Sequence, residues 1–321
     1  MSASLRAPRR LTIVAAFAAL YLIWGSTYLG ILFAIKSIPP LLMAGTRFFL
    51  AGLIMYAIAR RQGPRRSSFA EWRTAFLVGA CLLFFGNGGV TIAEQWVPSG
   101  LASLLVATVP IYMAMLPWLS GTAPRPRPLV LLGLAAGFAG VGILVGPALT
   151  APSAGGGKHL LLGMLILLFG SLVWSIGSLY SRRARSSAPP FLSSAQTMLC
   201  GGGLMILAGL LSGETRGFHP GQITALSLGA FAYLVLVGAI VGYTAYIWLL
   251  RHCDPAKVAT YAYVNPVVAV LLGALFAGEA LTGRTALAAA IIIGSVAVVI
   301  TAQQSKPESP LLTRPAVAQP K

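Results

Sequence analysis

Two tryptophans stand out in this 321-residue sequence because each lies in the middle of an apolar run long enough to cross a bilayer. Trp24 and Trp174 are thus far from the membrane interfaces, where tryptophan usually anchors a helix. Aromatic rings at that depth could form the walls of a cavity that stack on a small molecule, and we place Ser26 in the same candidate substrate-binding set. Ordinary helix packing beside Gly25 and Gly177 is the alternative.

Two prolines also lie inside apolar runs, separated by 156 positions, about half of the chain. Pro110 and Pro266 each remove a backbone hydrogen bond, so a carbonyl one turn earlier must find protein, water or ligand. We expect either a pair of hinges beside a cavity or simple kinks, which membrane helices tolerate. Asn265 and Tyr263 adjoin the second proline and are candidate substrate-binding residues.

Polar and aromatic residues recur at a third pair of matching positions. Asn87 lies within a glycine-rich stretch, 86–89, whose counterpart in the second half carries Tyr243 and Tyr246. These two tyrosines share one helix face, because residues three apart are neighbours on a helix. Polar groups deep in a membrane usually face protein or water, so these three residues are candidates for lining a transport pathway. Close helix packing through the glycines is the alternative.

Few ionisable groups lie inside the apolar runs. Arg47 is the only base well inside one of them, and it could bind a carboxylate or backbone carbonyls. Glu94 ends the third run, where it could carry a proton, pair with a cationic substrate, or cap the turn before Pro98. Arginine stays protonated, which leaves Glu94 as the candidate coupling group. Glu279 is expected to stabilise the N-terminus of the last membrane helix through the helix dipole.

Other kinds of chemistry find no support in the sequence. The three histidines fall in predicted loops, the three cysteines have no metal-site or disulfide spacing, and no phosphate-binding loop is present. We therefore expect no catalytic residue, no metal site and no cofactor. The formal charge of +17 comes from basic residues between the apolar runs, with no basic face interleaved with aromatics, which argues against a nucleic-acid partner.

The elements that must position these residues follow from composition. Hydrophobic residues make up 57% of the chain and charged residues 9%, and the mean hydropathy is +0.83. A water-soluble domain has about 25% charged residues, so that class is excluded. A bilayer core of about 30 Å needs about 20 apolar residues per helix. The sequence predicts ten such helices, over residues 11–35, 39–59, 74–93, 99–120, 128–147, 160–181, 189–211, 223–250, 255–277 and 284–302.

The distribution of positive charge predicts the orientation of these helices. Most Lys and Arg residues fall in the loops and tails on one side of the predicted bundle. The other side receives only Lys36, Lys158, Arg216 and Arg284. Cytoplasmic loops carry an excess of basic residues, so both termini are expected in the cytoplasm, which requires an even number of spans.

Each half of the chain, residues 11–147 and 160–302, would then contain five spans. Because five is an odd number, the second half enters the membrane in the opposite orientation, which makes the halves inverted repeats. Residues 152–157 form the expected connector between them. The segment 303–321 is expected to be a disordered cytoplasmic tail.

Several short motifs resemble the EamA domain of the drug/metabolite transporter superfamily: residues 22–27 (LIWGST), residues 44–52 (AGTRFFLAG), and Gly278-Glu279. Residues 93–102 (AEQWVPSGLA) are similar to the YedA-like branch of that superfamily. The resemblance implies an all-α integral membrane protein with ten transmembrane helices in two inverted five-helix EamA repeats. The first half departs from the pattern, since Gly121-Thr122 stands where a second Gly-Glu would be expected.

The function that we expect is secondary transport across the bacterial inner membrane, by alternating access around a midplane cavity. The expected activity is export of small metabolites or amino-acid-like solutes. Its partners would be a small-molecule substrate and the lipid bilayer, with the chain a monomer or homodimer. A polytopic membrane enzyme acting on lipid-linked substrates and a channel are the alternatives. An enzyme would need convergent acid, base or metal groups, and a channel would need a charged ring.

Overall fold

The computed structural model describes residues 10–62, 67–150, 156–184, 188–253, 258 and 261–304, and every long regular element in these ranges is helical. A π-helical segment interrupts two of the rods. In chain order the elements are α1 (Arg10–Ala34), α2 (Pro40–Gln62), α3 (Phe69–Gly79), π1 (Ala80–Gly88), α4 (Gly89–Ala93), α5 (Ser99–Val106), α6 (Val109–Leu119), α7 (Pro128–Thr150), α8 (Gly156–Arg183), α9 (Pro190–Leu211), α10 (Ala225–Tyr233), π2 (Leu234–Val241), α11 (Gly242–His252), α12 (Tyr261–Ala277) and α13 (Gly283–Gln304).

The described helices are suited to a membrane by length and composition. Seven of them, counted as continuous rods, are long and apolar enough to cross a bilayer, and three shorter apolar helices accompany them. These helical segments coincide with the predicted spans, with bounds that differ by a few residues. The chain is therefore an all-helical, multi-pass membrane protein. The predicted tail from residue 305 onward and most of the predicted connector lie outside the described residues.

Helix α3 begins five residues before the predicted position. Ser68 and Glu71 form a capping box there, in which the Ser68 hydroxyl accepts from the Glu71 amide at 3.2 Å. The Glu71 carboxylate in turn accepts from the Ser68 amide at 2.9 Å. This reciprocal pair satisfies two otherwise free amides, so the helix begins before the apolar run does.

Three rods are irregular at the places where the sequence carries its glycines and prolines. The segments π1 and π2 occupy matching positions in the two halves and end at or next to Gly88 and Gly242. The rod from α5 to α6 breaks at residues 107–108, directly before Pro110, which lies in the first turn of α6. Pro266, by contrast, lies inside the continuous helix α12. Such interruptions are frequent at functional sites in helices.

Helices from the first and second half pack closely on one another through glycine. Along the contact between α2 and α9, a Cβ atom at Gly45 would lie 2.6 Å from the backbone nitrogen of Ile206. A Cβ atom at Gly202 would lie 2.6 Å from the backbone nitrogen of Phe49. Small residues allow backbones to approach in this way, which is how membrane helices gain packing energy without a hydrophobic driving force.

This close approach predicts that neighbouring glycines of α9 respond differently to an added methyl group. Gly202→Ala should lower the thermal stability of the purified protein, because overpacking costs about 1–3 kcal/mol. Gly203→Ala is the matched control, since its Cβ would meet only a Phe49 ring atom at 4.0 Å. The control should gain up to about 1 kcal/mol from helix propensity. Equal midpoints for the two variants in detergent unfolding would show that the backbone contact is not tight.

Candidate functional site

Trp24 lies in a cluster of aromatic rings between α1, α11 and α12. Its ring centroid is 5.1 Å from that of Tyr246, 5.1 Å from that of Tyr261 and 6.0 Å from that of Tyr243. The indole covers Gly242, where a Cβ atom would lie 2.5 Å from Nε1 of Trp24. The structure thus brings together three predicted site residues. Sequence reasoning missed Tyr261, although it stands two positions before the candidate Tyr263.

Trp174 lies on α8 and covers a glycine of the opposite half. A Cβ atom at Gly86 would lie 2.6 Å from Cε3 of Trp174. Trp24 on Gly242 and Trp174 on Gly86 are therefore corresponding contacts, each between a tryptophan of one half and the π-helical region of the other. The two indoles make no ring contact with each other within the described ranges. Each side chain is half-buried.

Ser26 faces α10 rather than the Trp24 cluster. Its hydroxyl shares a hydrogen bond with the Tyr233 hydroxyl at 2.5 Å and also donates to the Ile23 carbonyl at 2.9 Å. Both side chains line a groove of about 390 Å³ between α1 and α10, whose other lining residues are mostly apolar. Ser26 is thus separated from the indole two positions earlier, because successive helical residues point in different directions.

Arg47 is buried inside the bundle and is held by an amide. Its Nη2 atom donates to Oδ1 of Asn87 at 2.9 Å, and its guanidinium lies 4.2 Å from the ring centroid of Phe48. Only 4% of the residue is exposed. Its Nε and Nη1 atoms have no hydrogen-bond partner in the described protein. The predicted partners were a carboxylate or backbone carbonyls, so the amide of Asn87 is a correction.

Glu94 directly follows α4 as its C-cap residue and is 3% exposed. Neither of its carboxyl oxygens has a hydrogen-bond partner among the described residues, so it does not cap the turn before Pro98. The charged side chains of Glu279 and Arg47 lie near enough to interact electrostatically with the Glu94 carboxyl group. A buried acid that lacks a partner is costly to ionise, and it is the kind of group that proton carriers and ligand sites use.

Glu279 corrects a second expectation, because it caps a helix other than the predicted one. Its Oε1 atom accepts from the Ser99 amide at 2.6 Å and from the Ser99 hydroxyl at 2.7 Å, and its Oε2 atom accepts from the Gly100 amide at 2.9 Å. These donors lie at the N-terminus of α5. The left-handed backbone of Gly278, with φ of 67°, turns the chain toward them. At the start of α13, the Thr282 hydroxyl accepts from the Thr285 amide instead. We call the three bonds from Ser99 and Gly100 to the Glu279 carboxylate the Glu279 cap.

Glu214 forms a similar arrangement that sequence reasoning missed. It also follows a glycine in the left-handed region, Gly213 with φ of 78°. Its two carboxylate oxygens accept from the amides of Leu41 at 3.0 Å and Leu42 at 2.9 Å, at the N-terminus of α2. We call this the Glu214 cap. The repeated Gly-Glu dipeptide at 213–214 and 278–279 was the sequence signal for it.

Near each proline a polar side chain bonds to a backbone carbonyl other than the one that the proline frees. The Val109 carbonyl, next to Pro110, accepts from the Ser175 hydroxyl of α8 at 3.3 Å. Asn265 is buried, and its amide is assigned with the nitrogen toward the surrounding carbonyls, an orientation in which it donates to Tyr261 at 3.2 Å and to Tyr21 of α1 at 3.3 Å. The amide of Asn265 therefore joins α12 to α1. The side chain of Tyr263 lies outside the described part of the structure.

The fold is that of an all-helical, multi-pass membrane protein. The profile of the EamA-like transporter family matches residues 11–146 and 161–301, and the chain belongs to that family. The chain is therefore a transporter of the EamA type and not an enzyme, so the enzyme alternative is rejected.

Relatives with assigned names cover nearly the whole chain. The "uncharacterized inner membrane transporter YedA" of Escherichia coli K12 is 37% identical over 303 residues, which are 94% of this chain and 95% of that protein. The "probable amino-acid metabolite efflux pump" of the same organism is 28% identical over 291 residues, covering 84% and 89%. A solved crystal structure, 22% identical, superposes with a TM-score of 0.60 over 90% of this chain and 97% of that one.

The corresponding tryptophan–glycine contacts predict that both indoles are needed for transport. Trp24→Ala and Trp174→Ala should each lower the initial transport rate about tenfold, since each removes a large aromatic contact surface beside an irregular helix. Trp96→Ala is the control, because Trp96 is 37% exposed and contacts only the ring of His159 among the described aromatic pairs. Size-exclusion chromatography checks that each variant is folded. Wild-type rates in both variants would contradict the prediction.

Proposed function

We propose that the chain is a secondary transporter of the bacterial inner membrane that exports small metabolites or amino-acid-like solutes. In this proposal ten membrane helices form two inverted five-helix repeats, residues 11–147 and 160–302, which alternate access to a central cavity. The observation that carries it is the pair of corresponding contacts, Trp24 on Gly242 and Trp174 on Gly86. The separate family matches in the two halves and the name of the efflux-pump relative support it.

The buried charges favour a solute that carries both an ammonium and a carboxylate group. Among the described residues, two nitrogens of Arg47 and both carboxyl oxygens of Glu94 have no hydrogen-bond partner. Charged groups of opposite sign inside a membrane protein are costly unless they pair or bind a ligand. A solute of the amino-acid type would satisfy both, and the rings around Trp24 offer surfaces for its side chain.

The test is a flux assay in proteoliposomes with a panel of amino acids, their decarboxylated amines and their deaminated acids. We expect exchange of at least one amino acid and little exchange of either analogue, because each analogue leaves one buried charge unmatched. A panel in which only amines or only acids exchange would contradict the charge argument. Ion conductance without saturable exchange would instead identify a channel.

The same assay tests energy coupling at Glu94. Glu94→Gln keeps the shape of the side chain and removes its titration. The variant should lose accumulation driven by a pH gradient while keeping a reduced passive exchange, because its amide no longer neutralises the ammonium group of the solute. Glu71→Gln is the matched control, since glutamine also serves in a capping box at the other end of that rod. Unchanged gradient-driven accumulation in Glu94→Gln would exclude Glu94 as the coupling group.

The proposed orientation places both termini in the cytoplasm and the beginnings of α2 and α5 outside. It is tested by single cysteines in a variant that lacks Cys81, Cys200 and Cys253. Ser153→Cys should react with an impermeant maleimide added to intact cells, whereas Ser186→Cys should react only after the cells are opened. The expectation rests on the excess of basic residues on the side of Ser186. The reverse pattern would overturn the orientation.

A further inference from the structure

We propose that the Glu279 cap is the contact that holds this transporter closed toward the outside. The inference rests on the proposed function and orientation, in which the N-terminus of α5 lies at the outer face. Glu279 belongs to the second half of the chain, and Ser99 and Gly100 belong to the first. The three hydrogen bonds therefore tie the halves together at one end of the bundle.

The donors have few other ways to be satisfied. Pro98, which precedes α5, provides no side-chain cap, so the first amides of this helix depend on the Glu279 carboxylate. The carboxylate fits because the helices cross at glycines. A Cβ atom at Gly273 would lie 2.5 Å from Oε2 of Glu279, and one at Gly100 would lie 3.2 Å from it. Hydrogen bonds from amides to a carboxylate are stronger than hydrogen bonds between neutral groups, so the Glu279 cap holds the N-terminus of α5 firmly against the second half of the chain.

The rod of α5 and α6, whose N-terminus is bound by the Glu279 carboxylate, contacts α12 mainly through its outer part. The outer part, α5, packs on α12 and also contacts α1, α8 and α13. After the break at residues 107–108, the inner part, α6, packs on α8 and α13. The contact of this rod with α12 is therefore made by its outer part, close to Glu279. Breaking that contact would let α5 move away from α12 at the outer face.

The opposite face has a weaker contact at the corresponding position. Gly121 follows α6 and has the same left-handed backbone as Gly278, with φ of 67° at both residues. Thr122 takes the place of the glutamate. Its hydroxyl accepts from Nη2 of Arg183 at 2.8 Å, so it binds the end of α8 and not the N-terminus of another helix. Within the described residues, a carboxylate that joins the two halves at a helix N-terminus is thus found at the outer face, which favours the conformation closed toward the outside.

The Glu214 cap provides a natural comparison. It has the same chemistry and lies at the same face, but the helices that it joins, α2 and α9, are also held together by Gly45, Gly52 and Gly202 along their length. Loss of the Glu214 carboxylate therefore leaves its helices in contact. Loss of the Glu279 carboxylate removes the bonds that close the outer end of α5.

The test measures access to Ser103, which lies one turn below the Glu279 cap and is 1% exposed. Ser103→Cys is introduced into the variant without native cysteines, and its reaction with an impermeant maleimide is followed in right-side-out and inside-out vesicles. Glu279→Gln should raise the rate from the outside at least about tenfold, because the charge-assisted bonds are lost. Ser99→Ala, which removes one of the three bonds, should give a smaller increase. Glu214→Gln should stay within about twofold.

Each other outcome would overturn the inference. An unchanged rate in Glu279→Gln and Ser99→Ala would show that the contact does not control access. An equal increase in Glu214→Gln would show that general loosening exposes Ser103. An increase from the inside alone would place the closure at the cytoplasmic face. Labelling requires no substrate, so a failed flux assay would leave this result standing and would count against the proposed function alone.

Discussion

A bilayer offers no water to the backbone, and this constraint shapes every part of the structure. Each N–H and C=O group that leaves a regular helix must find a partner inside the protein. The protein solves this problem with single side chains brought from distant parts of the sequence. The carboxylates of Glu214 and Glu279 accept hydrogen bonds from the free amides at the N-termini of α2 and α5.

These hydrogen bonds to backbone groups also explain why the two halves of the chain stay packed against each other. In water a helix end can be hydrated, so a cap contributes about 1 kcal/mol. Where a helix end is buried, as at Ser99, the alternative to a cap is an unsatisfied group, and a carboxylate that accepts from two amides becomes a connection between helices. The caps and the glycine contacts complement each other, because glycines let the backbones approach and the carboxylates fix the ends.

Composition and hydropathy predicted the membrane class and the positions of the described helices, since a long apolar run has few other stable conformations in lipid. The same pattern could not predict the direction of side chains. Ser26 is two positions from Trp24, yet its hydroxyl bonds to Tyr233, whereas the Trp24 indole rests on Gly242. Both partners can face α1 because the π-helical segment π2 lies between them and changes which residues of that rod point toward α1.

In the candidate site, too, the sequence indicated individual residues but not the contacts that they make with distant parts of the chain. Matching positions in the two halves selected Trp24, Tyr243 and Tyr246 as candidates, but each through a different counterpart. The role of Glu279 could not be predicted, since the nearest helix N-terminus in sequence is that of α13, whereas its bonds go to Ser99 and Gly100. A carboxylate on a left-handed turn can reach any helix end that the fold brings near, and the hydropathy pattern does not show which helix end that is.

The bond between Arg47 and Asn87 has a consequence for how the protein enters the membrane. An arginine inside a helix adds about 2.5–3.5 kcal/mol to the free energy of insertion. During synthesis α2 leaves the ribosome before the rod that carries Asn87, so the arginine first meets the lipid without its partner. Either the apolar residues of α2 make its insertion favourable without Asn87, or α2 stays at the translocon until the next rod is synthesised and the two insert together as a helical hairpin.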